Sequence, residues 1–509
     1  MLSHRSLIRS TGVIGFATFL SRILGLVRDI LTARIFGTSW VYDAFLMAFM
    51  IPNLLKRLLG EGAISSSFIP VFTRYKEKHS SEELWRFASA VGTVTTLLCL
   101  ALIAAGWGGL TYLGTFPLEP KAALTVDLLR HFLPFLILIA WTAWAMGILN
   151  SFRKFWTPAL APVFLNIGWI IAPVWICAWL GTDLKTQIYG LVWGILAGGA
   201  MQVLVQIPSL WKLKPRLRWE PDLRHEGVKE VGKLLTPSLF GLAVTQLSMT
   251  VDLYFGYFIG EGATSSLWYA NRLMQFPLGI FAAAMGTAIL PTFSSQAAQE
   301  RMDQFRGTLV FSLRALSFIV IPASVGLIFL REPIVRLLFE RDQFTAESTL
   351  RVANVLMYYS LGLLAYSGIK VLTSAFYSLK DTKTPVKIGA IGFLLNVVLN
   401  LILMWPLKEG GIALATAISS GVNFVILLVL LLRRVGMPDM AQLANTLWRV
   451  TAASLLMGVG CLWVWGLCGG YSLWVQVFVP IVCSLIFFLA ASFLLRIPEA
   501  AMVLKLFRR

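Results

Sequence analysis

Long apolar stretches recur along almost the whole chain, separated by short segments rich in charge, Gly and Pro. The stretches 91–105, 132–149, 388–405 and 477–495 approach or reach the roughly 20 apolar residues that one helix needs to cross a bilayer. Backbone N–H and C=O groups in lipid must bond within their own segment, so these stretches are predicted to be helices. The pattern therefore predicts an all-α polytopic membrane protein.

Hydropathy and the Gly/Pro punctuation together predict about fourteen transmembrane helices. By residue number they are 11–36, 41–60, 88–113, 127–149, 158–180, 187–210, 234–258, 266–290, 308–330, 351–376, 386–405, 411–432, 447–467 and 473–495. The first stretch lacks a small-residue cleavage pattern, so it is predicted to be a mature span rather than a signal peptide. The predicted loops on the side of both termini carry most of the 43 Lys and Arg residues. By the positive-inside rule both termini are predicted to be cytoplasmic, in a multi-pass protein of the bacterial inner membrane.

The first half of the chain resembles the second half when it is shifted by about 220 to 230 residues. Asn150-Ser-Phe-Arg-Lys-Phe-Trp-Thr-Pro158 matches Tyr377-Ser-Leu-Lys-Asp-Thr-Lys-Thr-Pro385. Each segment continues into a predicted apolar helix that contains a Leu-Asn pair. The pairs are Leu165-Asn166 in the first half and Leu395-Asn396 in the second. The repeat indicates two similar bundles, an organisation that is typical of transporters whose substrate binds between two halves.

Three regions follow from this repeat. We predict two pseudo-symmetric lobes of six helices, 1–225 and 226–440, that face one another across a central cavity. The third region, 441–509, contains two C-terminal helices outside the repeat and a cytoplasmic tail.

Composition narrows the function further. The chain is 57% hydrophobic and 13% charged, with a mean hydropathy of +0.76, which excludes an ordinary soluble protein. Five cysteines without a CxxC pair and four scattered histidines argue against a disulfide framework, a zinc site or a His-based catalytic site. The net charge of +18 lies mostly in predicted cytoplasmic loops, so no nucleic-acid partner is predicted. The chain contains no GxxxxGK[ST] loop, so no nucleotide cofactor is predicted.

Several charged residues fall inside predicted spans, where a charge costs several kcal/mol unless it has a partner or a watery cavity. The first span contains Arg22, Arg28 and Asp29. On a helix Arg22 and Asp29 share one stripe, whereas Arg28 lies about 100° away.

The predicted charge of the cavity is positive. Guanidinium groups match the oxygens of phosphate and pyrophosphate and do not lose their proton, so an anionic substrate is predicted. The predicted substrate-binding cations are Arg22, Arg28, Lys56, Arg57 and Arg272. The predicted charge partners or gate residues are Asp29, Asp43 and Glu61. The alternative is that these cations pair with acids, extend to the interface or hold helices together.

A second polar cluster is predicted in the other half of the chain. It comprises Asp252, Asn396, Asn400 and Thr416, on predicted spans seven, eleven and twelve. Their oxygens suit a small hard cation such as Na⁺, or Asp252 alone could take up a proton. The alternative is interhelical hydrogen bonding without ion coupling.

Several motifs in the first lobe resemble those of a known family. They are Ser21-Arg-Ile-Leu-Gly-Leu-Val-Arg-Asp29, Ala33-Arg-Ile-Phe-Gly37, Asp43-Ala-Phe45, Pro52-Asn-Leu-Leu-Lys-Arg-Leu-Leu-Gly-Glu-Gly-Ala63 and Phe68-Ile-Pro-Val-Phe72. With Tyr269-Ala-Asn-Arg-Leu-Met-Gln-Phe-Pro277 and the 377–385 segment, the chain resembles the MurJ (MviN) family of lipid II flippases, over nearly its whole length. This family belongs to the MOP exporter superfamily.

The resemblance implies alternating access by a V-shaped pair of lobes, with a lipid groove beside the two C-terminal helices. It implies lipid II, an undecaprenyl-pyrophosphate-linked disaccharide-pentapeptide, as substrate, membrane lipids as further partners, and function as a monomer. By motif position the family's cavity arginines fall on Arg22, Arg28 and Arg272. The family commonly has Arg at Lys56, where Lys keeps the charge but loses the guanidinium fork. No cofactor is implied, and transport could be coupled to Na⁺, H⁺ or the membrane potential.

Three other functions are alternatives for a chain of this composition. A polysaccharide-unit flippase of the same superfamily would have the same architecture. A MATE-like drug antiporter that exports cations would need an anionic cavity, which is opposite to the predicted charge. A membrane enzyme acting on polyprenyl phosphates would need paired acids with a metal, or a nucleophile with a base, and the sequence shows neither.

Overall fold

The computed structural model describes residues 4–58, 64–279, 283–437 and 439–501. Within these ranges the regular structure is helical, which confirms the all-α prediction. The helices are α1 (His4–Phe36), α2 (Trp40–Leu58), α3 (Ile64–Lys78), α4 (Ser81–Leu113), α5 (Pro120–Phe132), α6 (Phe135–Ser151), α7 (Trp156–Ile171), α8 (Cys177–Trp179), α9 (Leu184–Leu204), α10 (Ile207–Trp211), α11 (Glu226–Ile259), α12 (Ala263–Pro277), α13 (Ala283–Ala298), α14 (Met302–Phe329), α15 (Arg331–Phe339), α16 (Ala346–Leu361), α17 (Leu363–Ser378), α18 (Lys383–Val435), α19 (Met440–Leu467) and α20 (Leu473–Leu494). A π-helical turn, Ala172–Ile176, joins α7 to α8.

Seven helices within the described ranges are long and apolar enough to cross a membrane. The number rises to nine if α5 with α6, bent by 41°, and α16 with α17, bent by 42°, each form one span. Helix α18 is two helices that meet at Lys408, whose φ of 50° and ψ of −135° are not helical. The predicted spans 386–405 and 411–432 lie on either side of this break. The count of fourteen spans stays a prediction.

The chain forms two compact units, Met1–Thr250 and Val251–Arg509. In the first unit α7 packs between α1 and α9, α2 packs on α5, and α3 and α4 pack on α6. In the second unit α14 packs on α19, α19 on α20, α17 on α18, and α16 on both α12 and α18. The three-part division at 225 and 440 stays a prediction.

The crossing of α7 and α9 depends on glycine. A Cβ added to Gly168 would lie 2.4 Å from the Cα of Gly198, and one added to Gly194 would lie 2.8 Å from the carbonyl oxygen of Gly168. The backbones of the two helices therefore touch, as small residues four apart allow within membranes. This close approach fixes the face of α7 that carries Asn166 and Trp169.

The internal repeat is visible in the local backbone. Helices α6 and α17 are both followed by a residue in the left-handed region, Arg153 with φ 60° and Lys380 with φ 59°. In each copy the next amide donates to the carbonyl five residues earlier, at 2.9 Å in the first and 3.0 Å in the second. The matched sequence segments therefore form the same helix-ending turn.

Candidate functional site

Arg28, on α1, is the most buried of the predicted substrate-binding cations whose side chains the structure describes, and its side chain is 7% exposed. Its Nε and Nη2 donate to Oδ1 of Asp29 at 2.9 and 2.7 Å, and its Nη1 donates to Oδ1 of Asn166 at 3.1 Å. The guanidinium carbon lies 4.0 Å from the centroid of the Trp169 ring. Two helices, α1 and α7, therefore fix the position and orientation of this guanidinium, by charge, hydrogen bonding and cation–π attraction.

Asn166 is itself held in one orientation. Its Nδ2 donates to the backbone oxygen of Ser21 at 3.0 Å, to Oγ of Ser21 at 3.1 Å and to the carbonyl oxygen of Pro162 at 3.2 Å. Because the amide nitrogen is committed to these acceptors, the amide oxygen faces Arg28. Asn166 thus connects α7 to two positions on α1.

The other predicted cations lie in different environments. Arg22 is exposed on α1, and Lys56 and Arg57 are half-buried at the end of α2. Arg272 is half-buried on α12, with its guanidinium carbon 5.9 Å from the ring centroid of Trp268. Arg22 and Arg28 belong to the first compact unit and Arg272 to the second.

The predicted acidic partners also differ among themselves. Asp29 is fully buried and pairs with Arg28. A charged side chain within a span needs such a partner or a watery cavity. Asp43 is fully buried at the start of α2, and its Oδ2 lies 3.2 Å from Nζ of Lys121 on α5. Glu61 lies outside the described residues.

The four residues of the second predicted cluster come together within the second unit. Asn400 Nδ2 donates to Oδ1 of Asp252 at 2.8 Å, and Thr416 Oγ1 donates to Oδ2 of Asp252 at 2.7 Å. Asn396 completes the set through contacts of 3.1 Å to Thr416 and 3.3 Å to Asn400. Asp252 is 3% exposed and its partners are neutral amides and a hydroxyl.

This cluster contains an oxygen that is not satisfied within the described structure. Oδ1 of Asn400 is buried and has no hydrogen-bond partner there. In the described part of the chain the groups that hydrogen-bond to the Asp252 carboxylate are polar but uncharged. A buried carboxylate without a basic neighbour needs a proton or a cation to balance its charge.

Three residues of these sites were not predicted as site residues: Asn166, Trp169 and Lys121. The repeated Leu-Asn pair could have indicated Asn166, because Asn396, the Asn of the second pair, lies in the other polar cluster. Trp169 follows one turn after Asn166 on the same face of α7. Nothing in the spacing of Lys121 indicates its contact with Asp43, which depends on the packing of α5 against α2.

Comparison with known proteins places the chain in one family. A sequence model described as "Lipid II flippase MurJ" matches residues 32–484. The chain is 35% identical over 481 residues to the "Probable lipid II flippase MurJ" of Vibrio cholerae serotype O1, covering 90% of this chain and 89% of that protein. It is 34% identical over 459 residues to the "Lipid II flippase MurJ" of Burkholderia cenocepacia, covering 88% of each.

Solved structures agree with the sequence matches. A lipid II flippase MurJ in an inward closed conformation superposes with a TM-score of 0.78 at 29% identity, covering 95% of this chain and 98% of that one. An inward-facing MATE-family multidrug transporter of the MOP superfamily superposes with a TM-score of 0.64 at 15% identity, covering 82% and 94%, which shows a shared fold. Family, fold and length of coverage lead to one conclusion: this chain belongs to the MurJ family of lipid II flippases.

Proposed function

We propose that this protein moves lipid II from the cytoplasmic to the outer leaflet of the bacterial inner membrane by alternating access. The observation that carries this proposal is the match of residues 32–484 to one family of lipid II flippases. A family of flippases also fits the prediction of a transporter rather than an enzyme. We propose that the protein works as a monomer and that both of its termini lie in the cytoplasm.

Arg28 is the proposed central ligand of the pyrophosphate, together with Arg22, Arg272, Lys56 and Arg57. Asp29 and Asn166 already orient its guanidinium, so little side-chain freedom is lost when a phosphate oxygen binds. Burial against Trp169 lowers the local dielectric and strengthens attraction to an anion.

Asp29 gives Arg28 a second role in this proposal. An incoming pyrophosphate and the Asp29 carboxylate are both anionic acceptors for the same guanidinium, so they compete for it. Exchange of one for the other would change the contacts between α1 and α7 when substrate binds or leaves. Asp43 and Glu61 are proposed to act as further charge partners during the conformational change.

Ion coupling is proposed at Asp252, Asn396, Asn400 and Thr416. Carboxylate, amide and hydroxyl oxygens are suitable ligands for Na⁺, and Oδ1 of Asn400, which has no hydrogen-bond partner among the described residues, fits this role. Protonation of Asp252 is the competing form of coupling. The membrane potential, negative inside, would also favour outward movement of a negative substrate, by about 2.3 kcal/mol per charge per 100 mV.

Complementation tests the proposal. Arg22→Ala, Arg28→Ala and Arg272→Ala should each fail to support growth of a strain depleted of its own flippase, while the proteins still insert into the membrane. Lys387→Ala, at an exposed cation near the start of α18, is the matched control and should support growth. A leaflet-accessibility assay for lipid II reports the step directly. Growth and outer-leaflet lipid II at normal levels with all three arginines changed would refute the proposed cavity.

A further inference from the structure

The segment between α10 and α11, residues 212–225 and here called the strap, has no helix and lies along α4. The amide of Arg218 donates to Oγ of Ser89 at 3.0 Å. The amide of Glu220 donates to Oγ1 of Thr93, one turn further along α4, at 3.1 Å. Both hydroxyls are buried beneath the strap, so its position on α4 is fixed by its own backbone.

The acidic side chains of the strap lie near a cation of α4. Glu220 and Asp222 each lie 3.7 Å from the guanidinium of Arg86 on α4. At the end of the strap, Nε2 of the buried His225 lies 3.2 Å from Oε1 of Glu83. Arg86 thus partly balances the two acids of the strap, whose side chains are each 30% exposed.

The basic side chains of the strap face outward. All five are exposed, and in the described part of the chain none makes an ion pair with a carboxylate. They are Lys212, Lys214, Arg216, Arg218 and Arg224. The exposed charge of the strap is therefore net positive, because five exposed cations outnumber two acids that pair with Arg86.

Large apolar side chains lie among these cations. Leu217, Trp219 and Leu223 are 40%, 63% and 68% exposed, and Trp211, which ends α10, is 72% exposed. Exposed Trp and Leu are unfavourable in water, but Trp beside Lys and Arg is typical of the layer where a bilayer meets water. The two kinds of side chain together match a lipid surface rather than a soluble partner.

Helix α4 indicates the level of the strap in the bilayer. At about 1.5 Å per residue the stretch 93–113 is about 30 Å long, which matches the thickness of the hydrocarbon core. Leu97 and Leu98, one turn beyond Thr93, are the first large exposed apolar residues of α4. The strap, bonded at Ser89 and Thr93, therefore lies at the edge of the hydrocarbon.

We infer that the strap is a docking surface for the anionic lipid headgroups of the leaflet on its own side of the membrane. Its five cations contact the headgroups, and its Trp and Leu side chains enter the interfacial layer. Because the acids pair with Arg86, they repel that surface less than free carboxylates would. This contact is independent of the cavity proposed to bind the substrate.

Lipid titration tests the electrostatic part. The purified full-length protein in phosphatidylcholine micelles should gain thermal stability as phosphatidylglycerol is added. A variant with Lys212→Gln, Lys214→Gln, Arg216→Gln and Arg218→Gln should need at least tenfold more phosphatidylglycerol for half of that rise in Tm. The control changes four exposed cations of the second unit and should behave as the wild type: Arg301→Gln, Lys380→Gln, Lys383→Gln and Arg433→Gln. The inference would be overturned if the wild type and the strap variant needed the same amount of phosphatidylglycerol for half of the rise in Tm. It would also be overturned if the control variant needed as much as the strap variant.

A depth measurement tests the position without altering charge. A nitroxide at Leu217→Cys, in a chain whose five native cysteines are replaced, should in liposomes collide more with oxygen than with a water-soluble nickel reagent. A nitroxide at the exposed Glu82→Cys, near the start of α4, is the aqueous control and should show the reverse. A label at residue 217 as open to the nickel reagent as the label at 82 would contradict lipid docking and indicate a soluble acidic partner instead.

Discussion

Nη1 of Arg28 donates to Oδ1 of Asn166 at 3.1 Å, across 138 positions of sequence. This bond joins α1 to α7, the helix into which the first of the two matched segments continues. The neutral Asn166 on α7 therefore helps to orient the buried guanidinium of Arg28 on α1.

Replacing Asn166 by Leu should therefore impair transport beyond its effect on stability. The change removes an acceptor from a buried guanidinium and the three contacts made by Nδ2, at a cost of about 1–3 kcal/mol. Gln206→Leu is the control, because it removes another fully buried amide of the first unit away from Arg28. Complementation and lipid II accessibility, compared with Tm, separate the two effects. Equal transport by both variants at equal stability would show that Asn166 only supports the fold.

The Arg28 contacts show what could be predicted from the sequence. A charge in an apolar span requires a partner or a cavity, so the need of Arg28 and Asp29 for a partner or a cavity followed from energetics alone. The identity of the distant partner did not, because it depends on how α7 crosses α1. The repeated Leu-Asn pair was a signal, but it did not indicate which side chain each Asn would contact.

Helix formation was predictable for a similar reason, since lipid leaves the backbone few alternatives. The boundaries of the membrane spans were less predictable than the formation of helices. Hydropathy averages over bends, so the predicted span 127–149 contains the break between α5 and α6, and the predicted span 351–376 contains the break between α16 and α17. Helix α3 lies between two predicted spans. Hydropathy did not predict it because its polar residues lower the mean hydropathy of the segment.

Gly168→Ala should destabilise the first unit. The new Cβ would lie 2.4 Å from the Cα of Gly198, and backbone cannot move aside as a flexible side chain can. Overpacking of this kind costs about 1–3 kcal/mol and would displace the face of α7 that holds Asn166. Thermal unfolding in detergent measures it, with Gly108→Ala as the control because no atom lies within 4 Å of its added Cβ. A Gly168→Ala variant with the Tm of the control would contradict backbone contact at this crossing.

Asp381, in the turn before α18, should stabilise the second unit in a pH-dependent way. Its Oδ1 accepts from the amide of Thr384 at 3.0 Å, and its Oδ2 accepts from Nη1 of Arg434 at 2.7 Å. The Thr384 hydrogen bonds, with a smaller contribution from Arg434, lower the pKa of this carboxyl group. The stabilisation is therefore complete above the unfolded pKa of about 3.9 and is lost as pH falls through the lower folded pKa.

Asp381→Asn should accordingly have a lower Tm than the wild type at pH 7, and the difference should shrink as the pH falls below about 4. Asp303→Asn is the control, because this side chain is 94% exposed and its pairing with Arg306 is open to solvent. A difference for Asp381→Asn that is constant with pH would show that the carboxylate charge does not contribute.

The most informative change for ion coupling is Asp252→Asn. The carboxylate is buried among Asn396, Asn400 and Thr416, and its hydrogen-bond partners carry no positive charge. If Na⁺ balances this charge, the wild type should show a rise in Tm with NaCl that KCl does not produce, and transport in proteoliposomes should depend on Na⁺. Asp252→Asn keeps the size of the side chain and should abolish both effects.

Protonation predicts a different pattern, in which neither salt matters and transport by the wild type, but not by Asp252→Asn, changes with pH. Thr416→Val separates the two forms of coupling, because it removes an oxygen ligand and keeps the carboxylate. It should weaken Na⁺ dependence while leaving a proton-coupled process active. If Asp252→Asn transports lipid II with the Na⁺ and pH dependence of the wild type, the cluster only joins α11 to α18, and the driving force must come from elsewhere, the membrane potential being the remaining candidate.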